Sequence, residues 1–153
     1  MKCFLTRDPG VLLKAYYTYV RPILEYCTPV WSSHHTGLKD KLENVQRRFT
    51  KRINGLSCFS YEDRLVYLEL DSLRVRRIKQ DMIMCYKIIN GLVAIDCCDF
   101  FTFHDVRTRG HRNFKLYLPD CRLNVRKYSL ARRLCLVWNN LSYDVVNAVR
   151  LNS

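Results

Sequence analysis

The sequence is short of acid. Its 153 residues hold 14 Asp and Glu against 26 Lys and Arg, which leaves a formal net charge of +12. A positive excess of that size on a small chain favours polyanions, and nucleic acid is the first candidate among them. Also missing is any apolar run approaching the roughly 20 residues that cross a bilayer, and any apolar leader segment. Neither a compact polybasic end nor a basic amphipathic helix with a lipid-facing side stands out, so no membrane partner is expected.

Glycine is scarce, at five residues, and none of it forms a phosphate-cradling loop. The acids are scattered, with no pair in a motif that holds a catalytic metal, and the four histidines have no nucleophile at a recognisable spacing. Cys58 or Cys135 as a nucleophile would need a low-pKa setting. No enzyme site can be assembled. Cysteine, by contrast, is plentiful. Eight of them sit at irregular intervals inside helical patterns with no leader ahead, so they read as reduced, small buried hydrophobes of a cytoplasmic or nuclear protein. Cys97, Cys98, His104 and His111 have poor spacing for zinc, because adjacent cysteines rarely both reach one tetrahedral ion. The expectation is no metal and no cofactor.

What is present is a chain with 48% hydrophobic residues, enough to bury a core, and helical periodicity over most of its length. Asp8 and Pro9 start a first helix as N-cap and first helical residue. It runs into the aromatic, nearly uncharged stretch Ala15 to Ser32, where Tyr16, Val20, Ile23 and Leu24 recur at helical spacing and Pro22 interrupts or restarts the helix. Packing in a core is the favoured role of these aromatics, over a base-stacking surface. A second helix shows Leu38, Leu42, Val45, Phe49 and Ile53 as one apolar stripe, and Gly55 ends it. Its acids, Asp40 and Glu43, come early, while Arg47, Arg48, Lys51 and Arg52 come late. The helix macrodipole accounts for that polarity, and so does a phosphate backbone lying along the face opposite the stripe.

Ser60 with Asp63 forms a capping box for a short helix through Tyr67, and Asp71-Ser72 caps a longer one. Val75, Ile78, Met82, Cys85, Tyr86 and Ile89 are its buried stripe, closed by Asn90-Gly91. Arg74, Arg76, Arg77 and Lys79 crowd its first turns, where the dipole disfavours cations. Val93 to Val106 reads as a loop whose aromatics tuck back onto the helices. From Arg107 to Arg133 nine cations, Arg107, Arg109, Arg112, Lys115, Arg122, Arg126, Lys127, Arg132 and Arg133, meet one acid, Asp120, for a net +8. Alternation at Phe114, Leu116 and Leu118 and again at Leu123 and Val125, around Pro119-Asp120, predicts a two-stranded ribbon with one cationic face. Ser129 caps a helix carrying Leu130, Leu134, Val137 and Trp138, and Ser142 opens a short one. The expected fold is mostly α: a single small helical domain over 1–153, with a basic two-stranded β-ribbon in the C-terminal half. Trp31 and Trp138 are expected to be buried.

Ordered motifs carry a family resemblance. Tyr16 to Trp31 is similar to "Y-x-T-Y-V-R-P-x-L-E-Y-x-x-P-V-W", and Leu42 to Leu56 to "L-E-x-V-Q-R-R-F-T-K-R-I-x-G-L". Ser60 to Leu65, Leu73 to Arg77 with Tyr86 to Gly91, Thr108 to His111 and the final Trp138-Asn-Asn-Leu follow at matching spacing. The chain thereby resembles the thumb and post-thumb region of non-LTR (LINE-type) retrotransposon reverse transcriptases, from about Arg7 to Ser153. The catalytic "F/Y-x-D-D" pair, the fingers and the endonuclease are absent, so the resemblance implies a non-catalytic piece of an RNA-directed DNA polymerase, cut at both ends. It further implies a grip on template RNA or RNA–DNA duplex during target-primed reverse transcription, with the rest of the polyprotein as partner. Charge points to Arg47, Arg48, Lys51, Arg52, Arg107, Arg109, Arg112, Lys115, Arg126 and Lys127 as the backbone contacts. Two other readings stand beside this one: a decayed retroelement remnant without activity, and a protein-interaction module for an acidic partner. Nothing in the sequence fixes an oligomeric state.

Overall fold

Helix α1, Pro9–Ala15, begins with the expected cap: the Asp8 carboxylate accepts the Val11 N–H at 3.0 Å and Pro9 takes the first turn. The computed structural model describes residues 8–103 and 115–146. After α1 the chain widens into one π-helical turn, Tyr16–Val20, before α2, Arg21–Glu25, with Pro22 in its first turn. Pro22 offers no N–H and its ring crowds the carbonyl four residues back, so the helix restarts there. The Arg21 N–H reaches five residues back to the Tyr16 carbonyl. Cys27 then turns in the left-handed region (φ 50°) into α3, Thr28–Trp31. Helices α4, Thr36–Lys51, α5, Tyr61–Tyr67, and α6, Leu73–Ile89, follow.

The chain condenses as two compact units that divide in sequence between Ile78 and Lys79. In the first, Leu12, Tyr16, Phe49, Ile53, Leu56 and Leu68 form the core, with the Tyr16 and Phe49 rings stacked at 4.6 Å between centroids. The buried face of α4 is rotated from the apolar stripe read in the sequence. Gln46, Phe49 and Thr50 are buried and Leu42 is half-buried, whereas Leu38 and Val45 are exposed. Gln46 goes inside because both ends of its amide are satisfied: Oε1 accepts the Tyr16 hydroxyl at 2.7 Å, and Nε2 donates to the Asp71 carbonyl at 2.9 Å. Thr50 Oγ1 donates to the Arg47 carbonyl at 3.2 Å.

The aromatic stretch is only partly core. Tyr16 and Thr28 are buried, but Tyr19, Ile23, Tyr26 and Val30 are 66 to 82% exposed. Trp31 is exposed at 41%, contrary to expectation, with its indole N–H donated to the Tyr26 carbonyl. Val75 and Ile78 of α6 are exposed as well.

The ends of α5 and α6 share one device. Beyond α6 the Leu92 N–H reaches the Lys87 carbonyl at 2.8 Å and the Gly91 N–H the Ile88 carbonyl at 3.2 Å, with Gly91 at φ 64°. Beyond α5 the same pair of bonds runs from Leu70 to Leu65 and from Glu69 to Val66, with Glu69 at φ 52° in the place that glycine usually takes.

The second unit packs Cys85, Tyr86, Ile88, Phe101, Leu116, Leu134, Cys135, Trp138 and Val146 into one core. Around it lie α7, Cys97–Phe100, α8, Asn124–Lys127, α9, Leu130–Trp138, and α10, Tyr143–Val146. Trp138 is buried at 3%, as expected, and Phe101 tucks inward while Phe100 and Phe103 remain exposed.

The expected β-ribbon is corrected. Among the described residues there is no strand, only an isolated antiparallel bridge between Phe103 and Leu116. Two causes are visible. Asn139 acts in place of a neighbouring strand, accepting the Leu116 N–H at 2.9 Å and donating to its carbonyl at 2.8 Å. The segment read as the second strand contributes instead to α8. Fold class is therefore mostly α without the ribbon.

Cysteine burial also differs in part: Cys85 and Cys135 are buried, while Cys27, Cys58 and Cys98 are exposed, and all described cysteines are free thiols. Burial, with the charges of Cys135 and Cys97 nearby, pushes the Cys85 thiol far above its ordinary value. No helix among the described residues is long and apolar enough to cross a membrane.

Candidate nucleic-acid interface

Four of the ten sequence-derived contact residues, Arg47, Arg48, Lys51 and Arg52, lie along the C-terminal end of α4, and all four are exposed. At 3.6 residues per turn they span about 140° of the helix circumference, centred about opposite Gln46, Phe49 and Thr50. None of them makes an ion pair among the described residues. The Arg47 guanidinium lies over the Tyr61 ring, 4.7 Å from its centroid, which fixes one edge of the row.

Two acids of the first unit, Glu43 and Glu25, have partners outside the row. Glu43, one turn before Arg47, accepts the Tyr61 hydroxyl and the backbone N–H groups of Leu73 and Arg74, the latter two at 3.2 Å each. It caps α6 from thirty residues away in sequence. Glu25 accepts from Arg76 Nη2 at 2.9 Å and pairs with Arg21 at 3.3 Å. Burial alone would raise the Glu25 pKa, but the Arg76 hydrogen bond and charge, with Arg21, outweigh it and hold the carboxyl below its ordinary value.

These contacts explain the cations crowding the start of α6. Arg76 neutralises Glu25, and Arg77 is buried with its guanidinium 5.9 Å from the Trp31 ring centroid. Glu43 supplies the negative charge that the α6 N-terminus requires. Helix-by-helix reading missed this because the counter-charges come from α2 and α4. One signal was available: Glu25 is the only acid between Asp8 and Asp40, so any cation buried near that stretch had one partner to choose.

Between α4, the first turn of α5 and the start of α6 opens a cleft of about 320 Å³, lined by Lys39, Glu43, Arg47, Tyr61, Arg74 and Arg77 among others.

In the second unit Lys115, Arg126 and Lys127 are exposed. Arg126 and Lys127 occupy the last turn of α8, and Lys127 Nζ lies 5.8 Å from the Tyr128 ring centroid. Arg107, Arg109 and Arg112 lie outside the described residues. Two further cations of the basic segment have structural duties. Arg133 forms a two-pronged pair with Asp81 at 2.8 and 3.2 Å, and Arg132 donates to the Pro119 carbonyl.

No family model matches the chain, and no solved structure matches it. It is 28% identical over 94 residues to an uncharacterized protein of Caenorhabditis elegans, a match that covers 60% of this chain and 48% of that protein. The chain thus spans about half the length of the curated relative it matches.

Proposed function

We propose that this chain is a non-catalytic nucleic-acid-binding piece of a retrotransposon RNA-directed DNA polymerase, its thumb and post-thumb region. In this reading it grips template RNA or an RNA–DNA duplex through a basic surface. The family part rests on the ordered motifs from Tyr16 to Leu141. The binding part rests on one observation: Arg47, Arg48, Lys51 and Arg52 form an exposed row with no ion pair among the described residues, while Glu43, one turn before Arg47, is hydrogen-bonded to Tyr61 and the α6 N-terminus.

A row of that kind neutralises phosphates one by one and reads no bases, so it suits a grip that must hold any sequence. Lys115, Arg126 and Lys127 extend the same chemistry to the second unit, and chemistry on the strand belongs to the rest of the polyprotein.

The test is a triple substitution, Arg48→Gln, Lys51→Gln and Arg52→Gln, on the exposed side of α4. Each phosphate contact on a single strand contributes about −0.7 to the slope of log affinity against log salt, so losing three flattens that slope by about 2. The circular dichroism spectrum should stay unchanged. Weaker RNA binding with an unaltered slope would remove α4 from the interface.

A further inference from the structure

Two hydroxyl side chains in the sequence have cations both two or three residues ahead and directly adjacent to one another: Thr50 follows Arg47 and Arg48, and Ser129 follows Arg126 and Lys127. Protein kinases that choose substrates by charge read such a pair with carboxylates of their own. Burial separates the two candidates. Thr50 is 0% exposed and its Oγ1 donates to the Arg47 carbonyl within α4, so no enzyme reaches it in the folded chain. Ser129 is exposed where α8 passes into α9, with exposed Arg126, Lys127 and Tyr128 just ahead of it.

Modifying the Ser129 hydroxyl disturbs little. It makes no bond to the first N–H groups of α9, and its Oγ donates to the Arg126 carbonyl at 2.9 Å. The segment ahead of it is the single helical turn of α8, held by the Lys127 N–H on the Leu123 carbonyl at 3.0 Å and the Ser129 N–H on the Arg126 carbonyl at 3.2 Å. An exposed turn with so few bonds opens at low cost, which lets residues 126–129 extend into an enzyme cleft. Arg126 and Lys127 make no ion pair among the described residues, whereas Arg133, four residues beyond Ser129, is taken by Asp81.

Building on the nucleic-acid reading, we infer that Ser129 is a phosphorylation site for a basophilic protein kinase, and that its phosphate releases Arg126 and Lys127 from the strand. ATP is the phosphoryl donor. Ser129 Oγ bonds to the γ-phosphorus, the bond from that phosphorus to the β,γ-bridging oxygen breaks, ADP leaves, and the hydroxyl proton passes to the kinase's catalytic base. The product carries about −1.5 to −2 near neutral pH, which offsets the single positive charges of Arg126 and Lys127. Because the Oγ stands at hydrogen-bond distance from the Arg126 backbone, the phosphate is held at the end of the turn that carries both cations, and it competes there with the phosphates of a strand.

The experiment incubates the full chain with ATP and a purified basophilic serine/threonine kinase and maps the product by mass spectrometry. A phosphoryl group should appear on Ser129 and none on Thr50. Arg126→Gln with Lys127→Gln should slow the modification of Ser129 about tenfold or more, the worth of a charge-assisted contact. RNA binding is then followed against salt. Loss of two phosphate contacts flattens the slope of log affinity against log salt by about 1.4, and the α4 triple substitution should flatten it by a further 2 or so whether or not Ser129 is modified. Ser129→Ala carried through the same kinase treatment should keep the slope of the untreated chain. Failure of the kinase to modify Ser129 in the full chain would overturn the inference. So would an unchanged slope after modification, which would leave the nucleic-acid reading intact, and so would an altered circular dichroism spectrum of the phosphorylated chain, which would assign any loss of binding to a damaged fold. No RNA binding by the unmodified chain at low salt would remove the nucleic-acid reading and the switch together.

Discussion

Replacing Gln46 by leucine keeps the volume of a side chain that is 1% exposed and removes both of its hydrogen bonds. The Tyr16 hydroxyl, on a residue equally buried at 1%, then has no acceptor, and the half-buried Asp71 carbonyl loses its donor. An orphaned buried polar group costs about 1–3 kcal/mol, and the more accessible carbonyl recovers part of its loss from water, so the substitution should cost about 3 kcal/mol. Tyr16→Phe removes the stranded hydroxyl itself. The double variant should therefore be about 1–2 kcal/mol more stable than the two single losses added together, since replacing both partners by apolar groups is far cheaper than replacing one. Urea denaturation followed by circular dichroism gives the midpoints, with unchanged m-values confirming that the transition itself is the same. A Gln46→Leu chain as stable as the parent, or a cycle without coupling, would refute the claim that this amide joins α4 to the Tyr16 turn and to Asp71.

Two further outcomes follow from local geometry and from titration. Glu69 occupies a left-handed position at φ 52°, which costs an ordinary residue about 1 kcal/mol, so Glu69→Gly should stabilise the chain by about 0.5 kcal/mol in the same denaturation assay, after the added freedom of the unfolded chain is subtracted; a net loss would mean that the Glu69 side chain matters more than its backbone. Tyr16 and Tyr61 both hold their protons beyond the ordinary phenol value of 10.0: burial acts on each, followed by the Glu25 charge for Tyr16 and the Glu43 hydrogen bond for Tyr61. A folded-state pKa above the unfolded one means that the unfolded chain sheds protons first. The stabilisation is therefore complete below pH 10 and declines as pH rises above it. Thermal melts from about pH 9 to pH 11 should show a falling midpoint, with a smaller fall in Tyr61→Phe; a flat profile in the parent would contradict it.

Local signals in the sequence were legible where the interaction itself is local. Asp8 with Pro9, Ser60 with Asp63 and Gly91 beyond α6 cap their helices through bonds spanning a few residues, and each is found in place. Features that failed were those decided by distant partners. The buried face of α4 turns toward Gln46 because Tyr16 and Asp71, thirty and twenty-five residues away, satisfy its amide. The alternation around Leu116 looked like half of a hairpin, yet its backbone partner is the side chain of Asn139. The site divides the same way. The cations on α4 could be read from their spacing alone, whereas the cleft arises from three segments whose joint geometry rests on Glu43, an acid that helix periodicity marks as ordinary.

The most direct measurement is the affinity of the full chain for a single-stranded RNA across a series of salt concentrations. If exposed cations of α4 and α8 hold the backbone, log affinity falls linearly with log salt, at about −0.7 for each phosphate engaged, and the α4 triple substitution lowers the count by three. A folded chain that binds neither RNA nor an RNA–DNA duplex at low salt would contradict the account.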